Sequence, residues 1–131
     1  MDLNDYLKIG ESSDCDYVVQ EKDTADRFGN IGVQVLSTPA MLNYIELTSS
    51  KVLWTRLPQG FSLVGIGVNL THEAAVPVGG LFSVRSTVSQ VGHSKVTYEF
   101  TVTNKGRLVS KGSYKQAIVN LHQFLEQSLK N

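Results

Sequence analysis

The pattern of apolar and polar positions divides the chain into one long helical stretch and several strand-like stretches. From Thr38 to Trp54 there is no glycine, the one proline is Pro39, and apolar or small side chains recur at helical spacing. Thr38 suits the N-cap, and Pro39 suits the first helical position, where its missing N–H costs nothing. With Pro58 as a stop, the pattern predicts a helix of roughly 15 to 17 residues.

Most of the remaining chain alternates apolar and polar residues, which is typical of strands. The alternation predicts a first strand over 16–22, four further strands over 61–76, 81–91, 95–103 and 107–120, and a short helix over 121–129. Residues 23–32 are polar and contain glycine, which predicts a loop. Short turns join the last four strands, and such turns connect antiparallel neighbours because parallel pairs need long crossovers. One long helix on an antiparallel sheet is an α+β domain.

Length and charge narrow the function classes. The 131 residues suit a single domain over 1–131, and 41% hydrophobic and 18% charged residues are ordinary for a globular protein. Twelve basic side chains balance twelve acidic ones, without a basic run, so we expect no nucleic-acid partner. No apolar stretch approaches the roughly 20 residues of a membrane span, so we expect no membrane association.

The single cysteine, Cys15, excludes an intrachain disulfide framework and a cysteine metal site. Together with a polar N-terminus that does not fit a signal peptide, this predicts a reducing, cytoplasmic setting. Cys15 lies between Asp14 and Asp16 in sequence. Two neighbouring carboxylates disfavour the thiolate, so an incidental role is predicted for Cys15.

Several motifs then follow one another in an informative order. They are the helix start Ser37–Pro39, the loop Leu57–Gly60, the strand Val64–Val68 leading to His72, and the turn Ala75–Gly80. In order and spacing they resemble the hot-dog thioesterases, in particular the fluoroacetyl-CoA thioesterase type, over nearly the whole chain. The resemblance implies a hot-dog fold, in which a curved antiparallel sheet wraps around one long central helix.

The same resemblance implies a function. It is hydrolysis of a small acyl-CoA thioester to the free acid and CoA, without a cofactor or metal. The active sites of hot-dog proteins usually form between two protomers, so the resemblance also implies a homodimer or a higher homo-oligomer. The family uses a threonine at the helix start, a glutamate two turns along and a histidine after the next strand. These fall on Thr38, Glu46 and His72, and the glycine that approaches the thioester falls on Gly65.

The residues themselves support part of this assignment. Strict alternation would place His72 on the same side as Val68 and Leu70, toward the helix, where it can meet a helix-borne Glu46. A partly buried carboxylate needs a partner, and an imidazole would be one. The same alternation puts Gly65 on the opposite face, so contact with a substrate there requires its backbone or a β-bulge.

Each assignment has a structural alternative. Thr38 can simply cap the helix, Glu46 can be a surface residue, and His72 can be a hydrogen-bonded strand-end histidine. The domain can also bind an acyl-CoA or another small apolar ligand without turnover, whereas a hydratase is disfavoured because no Asp-x-Asn-x-x-His run occurs. In one place the sequence departs from the fluoroacetyl type. Gly32 replaces the aromatic residue expected shortly before the helix, and Phe28 lies nearby in a displaced register.

Overall fold

The computed structural model describes residues 1–130. Its regular elements, in chain order, are β1 (Ser12–Val18), α1 (Thr38–Ser50), β2 (Phe61–Leu70), β3 (Leu81–Val91), β4 (Lys95–Asn104), β5 (Arg107–Asn120) and α2 (Leu121–Ser128). Short 3-10 helices over Leu3–Asp5, Glu21–Asp23 and Ala25–Phe28 shape the segments before α1. The predicted α+β class is confirmed. No helix within residues 1–130 is long and apolar enough to cross a membrane.

The five strands form one sheet in the order β1-β3-β4-β5-β2, and every neighbouring pair is antiparallel. The strands β1 and β2 therefore lie at opposite edges of the sheet. The helix α1 follows β1 and precedes β2 in the chain, and it packs on one face of the sheet against β3 and β1. This is the arrangement of the hot-dog fold implied by the resemblance.

The core lies between α1 and the sheet because alternate residues of the central strands point toward the helix. Phe82 and Val84 of β3 and Tyr98 of β4 are fully buried, as are Met41 and Ile45 on the facing side of α1. Each such apolar side chain contributes about 1.5–3 kcal/mol by leaving water. This packing fixes which face of α1 turns inward, and thereby the face on which Glu46 lies.

Two predicted boundaries are wrong in ways that matter for the site. The helix α1 ends at Ser50, and residues 51–56 continue as turns instead of helix. Its N-cap is Ser37, whose Oγ accepts a hydrogen bond from the Ala40 amide at 3.1 Å. Thr38 is therefore the first helical residue, and its hydroxyl is not used for capping.

Strand pairing accounts for the other differences. The first strand covers Ser12–Val18 instead of 16–22, because seven successive pairs with β3 run from Ser12↔Thr87 to Val18↔Leu81. The strand β2 ends at Leu70, so His72 lies in the segment that follows the strand. The remaining strands agree with the prediction to within one residue.

Candidate active site

Thr38 and His72 meet at the N-terminal end of α1. The Thr38 Oγ1 lies 2.8 Å from His72 Nδ1, within hydrogen-bonding distance, although 34 residues separate them in sequence. Two backbone hydrogen bonds to β5 hold the segment after β2 in place, from Thr71 N to Lys111 O and from Glu73 N to Val109 O. Pairing with β5 thus positions His72 beside the first residue of α1.

The environment of His72 suits a proton acceptor. Desolvation of the ring lowers the pKa of His72 below its usual value of 6.5, and a hydrogen bond with the Ala74 backbone acts in the opposite direction. The imidazole is therefore mostly neutral at pH 7, the form that a general base requires. His72 and Thr38 share a cavity of about 330 Å³ whose lining also includes Phe28 and Asn30.

Glu46 lies two turns further along α1 and has a different partner. Its Oε2 accepts a hydrogen bond from the Tyr114 hydroxyl of β5 at 2.9 Å. The carboxylate is half-buried and lines a second cavity, of about 240 Å³, together with Gly65, Ile66 and Val68. Eight residues of helix separate Glu46 from Thr38, which is about 12 Å along the helix axis.

A β-bulge brings Gly65 to the helix side of the sheet. The register between β2 and β5 shifts between Gly65 and Gly67. Before the shift Gly65 pairs with buried Gln116, and after it Val68 pairs with buried Tyr114. Paired residues face the same side, so Gly65 and Val68 both turn toward α1. The bulge that a role for Gly65 required is present, and simple alternation along β2 does not hold.

Within one chain, then, the structure brings together two of the three predicted catalytic residues. Thr38 contacts His72, whereas no hydrogen bond joins Glu46 to His72 in residues 1–130. Gly65 accompanies Glu46: a Cβ built on it would lie 3.4 Å from Glu46 Oε2 and 2.7 Å from the Tyr114 hydroxyl. The predicted residues thus form two clusters, at the two cavities.

The sequence did not identify Tyr114. Tyr114 is buried in β5, and Gln116, two residues later and on the same face of the strand, is also a buried polar residue. Polar side chains at consecutive inward positions of a strand are a usable signal, because buried polar groups need partners. The signal gives no indication that the partner of Tyr114 is Glu46, which lies 68 residues away in sequence.

Few backbone donors are available at the helix start. Pro39 has no N–H, and the Ala40 amide is already bonded to the Ser37 side chain. Among the first three residues of α1, the Thr38 amide alone can approach an oxyanion. The start of α1 therefore offers an oxyanion this one backbone donor, alongside the hydroxyl of Thr38 itself.

Several known proteins are similar to this chain in sequence and in fold. A family model described as fluoroacetyl-CoA-specific thioesterase matches residues 19–122. The fluoroacetyl-CoA thioesterase of Streptantibioticus cattleyicolor is 21% identical over 129 residues, covering 93% of this chain and 92% of that protein. A solved mutant of the fluoroacetyl-CoA thioesterase in complex with acetyl-CoA superimposes with a TM-score of 0.88 at 18% identity, covering 95% and 98% of the two chains. A hot-dog-like protein from Thermanaerovibrio acidaminovorans gives a TM-score of 0.90 at 21% identity, covering 99% and 96%.

Proposed function

Because the chain belongs to the fluoroacetyl-CoA-specific thioesterase family, it is an acyl-CoA thioesterase, and we propose that Thr38, Glu46 and His72 carry the reaction. The observation that carries the proposal is the 2.8 Å approach of Thr38 Oγ1 to His72 Nδ1 at the mouth of a cavity. A neutral imidazole held by a hydroxyl beside a half-enclosed space is an arrangement suited to activating water.

His72 would act as the general base. In the tautomer whose Nδ1–H donates to Thr38 Oγ1, Nε2 carries the lone pair that takes a proton from water as the water oxygen attacks the thioester carbonyl carbon. The Thr38 hydroxyl then points its own proton at the carbonyl oxygen, which becomes negatively charged. When the carbon–sulfur bond breaks, the proton on His72 passes to the departing CoA thiolate, and the free acid is left.

The third residue would come from a second copy of the chain. The two sheet edges differ in charge: β1 carries exposed Asp14 and Asp16 beside exposed Val18, whereas β2 has no charged residue and exposes Ile66 and Val68, each to 46%. Charged side chains protect an edge strand from pairing, and exposed apolar side chains do not. A homodimer joined along the two β2 edges is therefore part of the proposal, with higher assemblies built from it.

The symmetry of such a dimer supports a shared site. A two-fold axis makes the two β2 strands antiparallel. An axis between Gly67 and Val68 would place Gly65 of one chain opposite Leu70 of the partner subunit. The Glu46 cluster of one protomer then approaches the Thr38–His72 cluster of the other, which unites the two half-sites. In that position the carboxylate would orient the attacking water.

The departure at Gly32 bears on the acyl group. In place of the expected aromatic residue, Gly32 adopts a positive φ of 86°, while Phe28 lines the Thr38–His72 cavity. We infer that the wall of the acyl pocket is built differently from that of a fluoroacetyl-selective enzyme. The substrate is a small acyl-CoA, and a cytoplasmic setting fits the one free cysteine, which needs no oxidising compartment.

The test is release of free thiol from a panel of short, branched, aromatic and fluorinated acyl-CoAs. Wild type should cleave at least one of them, and Glu46→Gln and His72→Ala should each lower kcat by about 100-fold or more, the range typical of general acid–base groups. Asn43→Ala, an exposed neighbour on α1, is the matched control and should leave kcat unchanged. Wild-type kinetics in both site variants would refute the assignment. Heat stabilisation by CoA derivatives without cleavage would favour the binding alternative.

A further inference from the structure

A chain of buried and partly buried hydrogen bonds ends on Glu46. The Tyr98 hydroxyl donates to Gln116 Oε1 at 2.9 Å, and the Gln116 amide group donates to Ser50 Oγ at 2.8 Å and, more weakly, to the Tyr114 hydroxyl at 3.4 Å. Tyr114 in turn donates to Glu46 Oε2 at 2.9 Å. From Tyr98 through Gln116 and Tyr114, every donor points toward the carboxylate. Hydrogen bonds aligned in this way polarise and strengthen one another.

We propose that Tyr114 is the positioning residue for Glu46, and that Gly65 lacks a side chain in order to admit the Tyr114 hydroxyl. The inference rests on the proposed function, in which Glu46 takes part in the reaction. By holding Oε2, which lies 3.4 Å from a Cβ built on Gly65, Tyr114 fixes the carboxylate at the cavity that Glu46 and Gly65 line. A carboxylate with one oxygen fixed presents a single oriented acceptor to water or substrate.

The packing around Tyr114 makes its hydroxyl a fixed donor. Tyr114 is 3% exposed, and its ring stacks on that of Tyr98 with centroids 6.1 Å apart. Desolvation is the larger cause that raises the pKa of Tyr114, and the hydrogen bond to Glu46 is a smaller one. The hydroxyl therefore keeps its proton at neutral pH. The buried rings leave Tyr114 little freedom to turn to another acceptor. Its geometry is set by the core and not by the substrate.

The close approach at Gly65 is the independent observation. A Cβ at this position would lie 2.7 Å from the Tyr114 hydroxyl oxygen and 3.3 Å from the ring carbon Cε1. The first distance is shorter than real Cβ contacts allow, and the second requires only a small shift. A side chain at residue 65 would thus displace the hydroxyl from Glu46. The absence of a side chain at Gly65 therefore leaves room for the hydrogen bond between Tyr114 and Glu46. This role is additional to any contact between the Gly65 backbone and the thioester.

The experiment compares Tyr114→Phe with Tyr98→Phe. Tyr98 is the matched control because it lies at the opposite end of the chain of hydrogen bonds from Glu46. Loss of a hydrogen bond to a charged group should lower kcat of Tyr114→Phe about 10- to 100-fold, with KM changed less than about 2-fold. Tyr98→Phe removes an equally buried hydroxyl that does not touch Glu46, and should lower kcat less than about 3-fold. Equal kcat losses in the two variants would overturn the inference, because they would indicate a general effect of the core.

Gly65→Ala supplies a second route if Tyr114→Phe does not fold. It should reproduce the loss of kcat while Tyr114 itself is unchanged. In the Tyr114→Phe background, where the hydroxyl is gone, Gly65→Ala should add less than about 2-fold, since interacting residues are not additive. Equal effects of Gly65→Ala in both backgrounds would mean that Gly65 acts independently of Tyr114, which overturns the proposal.

Glu46→Gln separates this inference from the proposed function. If Glu46→Gln is impaired while Tyr114→Phe has wild-type kinetics, the inference is wrong and the proposed function stands. If Glu46→Gln has wild-type kinetics, the proposed role of Glu46 is wrong, and the positioning role of Tyr114 falls with it. Thermal unfolding of every variant confirms that each comparison is made between folded proteins.

Discussion

Replacing Thr38 by valine separates helix capping from chemistry. Valine keeps nearly the same shape but has no hydroxyl, so Thr38→Val removes the 2.8 Å hydrogen bond to His72. Because Ser37 is the N-cap, and because the Thr38–His72 hydrogen bond is exposed to water that can replace it, the free energy of unfolding should change by less than about 0.5 kcal/mol. If Thr38 were the cap, the loss would be about 1 kcal/mol. Ser37→Ala should show that loss of about 1 kcal/mol while retaining most of the activity.

The size of the kinetic effect distinguishes two roles for Thr38. A single neutral hydrogen bond has a net value of about 0.5–1.5 kcal/mol. At about 1.36 kcal/mol per tenfold, its loss corresponds to a fall of about 2- to 13-fold in kcat/KM if the Thr38 hydroxyl only orients His72, and of about 10²- to 10³-fold with its proposed donation to the carbonyl oxygen included. Removing an attacking oxygen would instead cost on the order of 10⁴-fold or more.

The assay is steady-state thiol release by wild type, Thr38→Val and Thr38→Ser, with unfolding in urea measured on the same preparations. Thr38→Ser keeps the hydroxyl and should retain kcat/KM within about 3-fold of wild type. A fall of 10⁴-fold in Thr38→Val with normal stability would refute the orienting role and favour a covalent intermediate on Thr38. A kcat/KM equal to that of wild type in Thr38→Val would refute any part of the hydroxyl in the reaction.

Three further predictions concern pH, packing and assembly. Because desolvation lowers the pKa of His72, kcat/KM should be level near pH 7 and should decline below pH 6.5. Below that pH the unfolded chain binds more protons than the folded chain, so the free energy of unfolding should also fall as the pH is lowered. In unfolding titrations His72→Asn should abolish this part of the pH dependence. A Cβ on Gly112 would lie 1.8 Å from a backbone oxygen of β2, so Gly112→Ala should cost about 3 kcal/mol or more in urea unfolding, whereas Gly92→Ala, whose nearest contact is 3.6 Å, should cost less than about 1 kcal/mol. In sedimentation experiments Ile66→Lys should yield monomers without thioesterase activity, and Val18→Lys on the opposite sheet edge should remain dimeric; a monomeric wild type would contradict the shared site.

Local patterns in the sequence were sufficient for most of the architecture. Apolar residues recur at helical spacing in α1 and alternate with polar residues in the later strands. Each pattern reflects which side chains are buried, and it can be read within a single segment of the chain. The strand β3 and the strand β5 have the predicted bounds for that reason. The turn at Lys105 and Gly106 was likewise predictable, and both residues adopt the positive φ angles that tight hairpins favour.

The sequence was less informative where two neighbouring residues could play the same part. Ser37 and Thr38 are both good N-caps, and only the hydrogen bond from Ala40 to the Ser37 side chain distinguishes them. Cys15 shows the same dependence on tertiary contacts. Its sequence neighbours Asp14 and Asp16 suggested a disfavoured thiolate, but the Lys51 Nζ lies 2.7 Å from the sulfur, and this contact lowers the pKa of Cys15.

The sequence by itself determined the fold class, the long helix and the residue types that a thioesterase site requires. The tertiary structure decided which of them meet: the bulge in β2 turned Gly65 to the helix side, and the folded sheet joined His72 to Thr38 and Tyr114 to Glu46. The physical reason is that periodicity reports only whether a side chain is buried. Which partner it contacts depends on strand register and on the crossing of the helix over the sheet, and these are set by residues far apart in the chain.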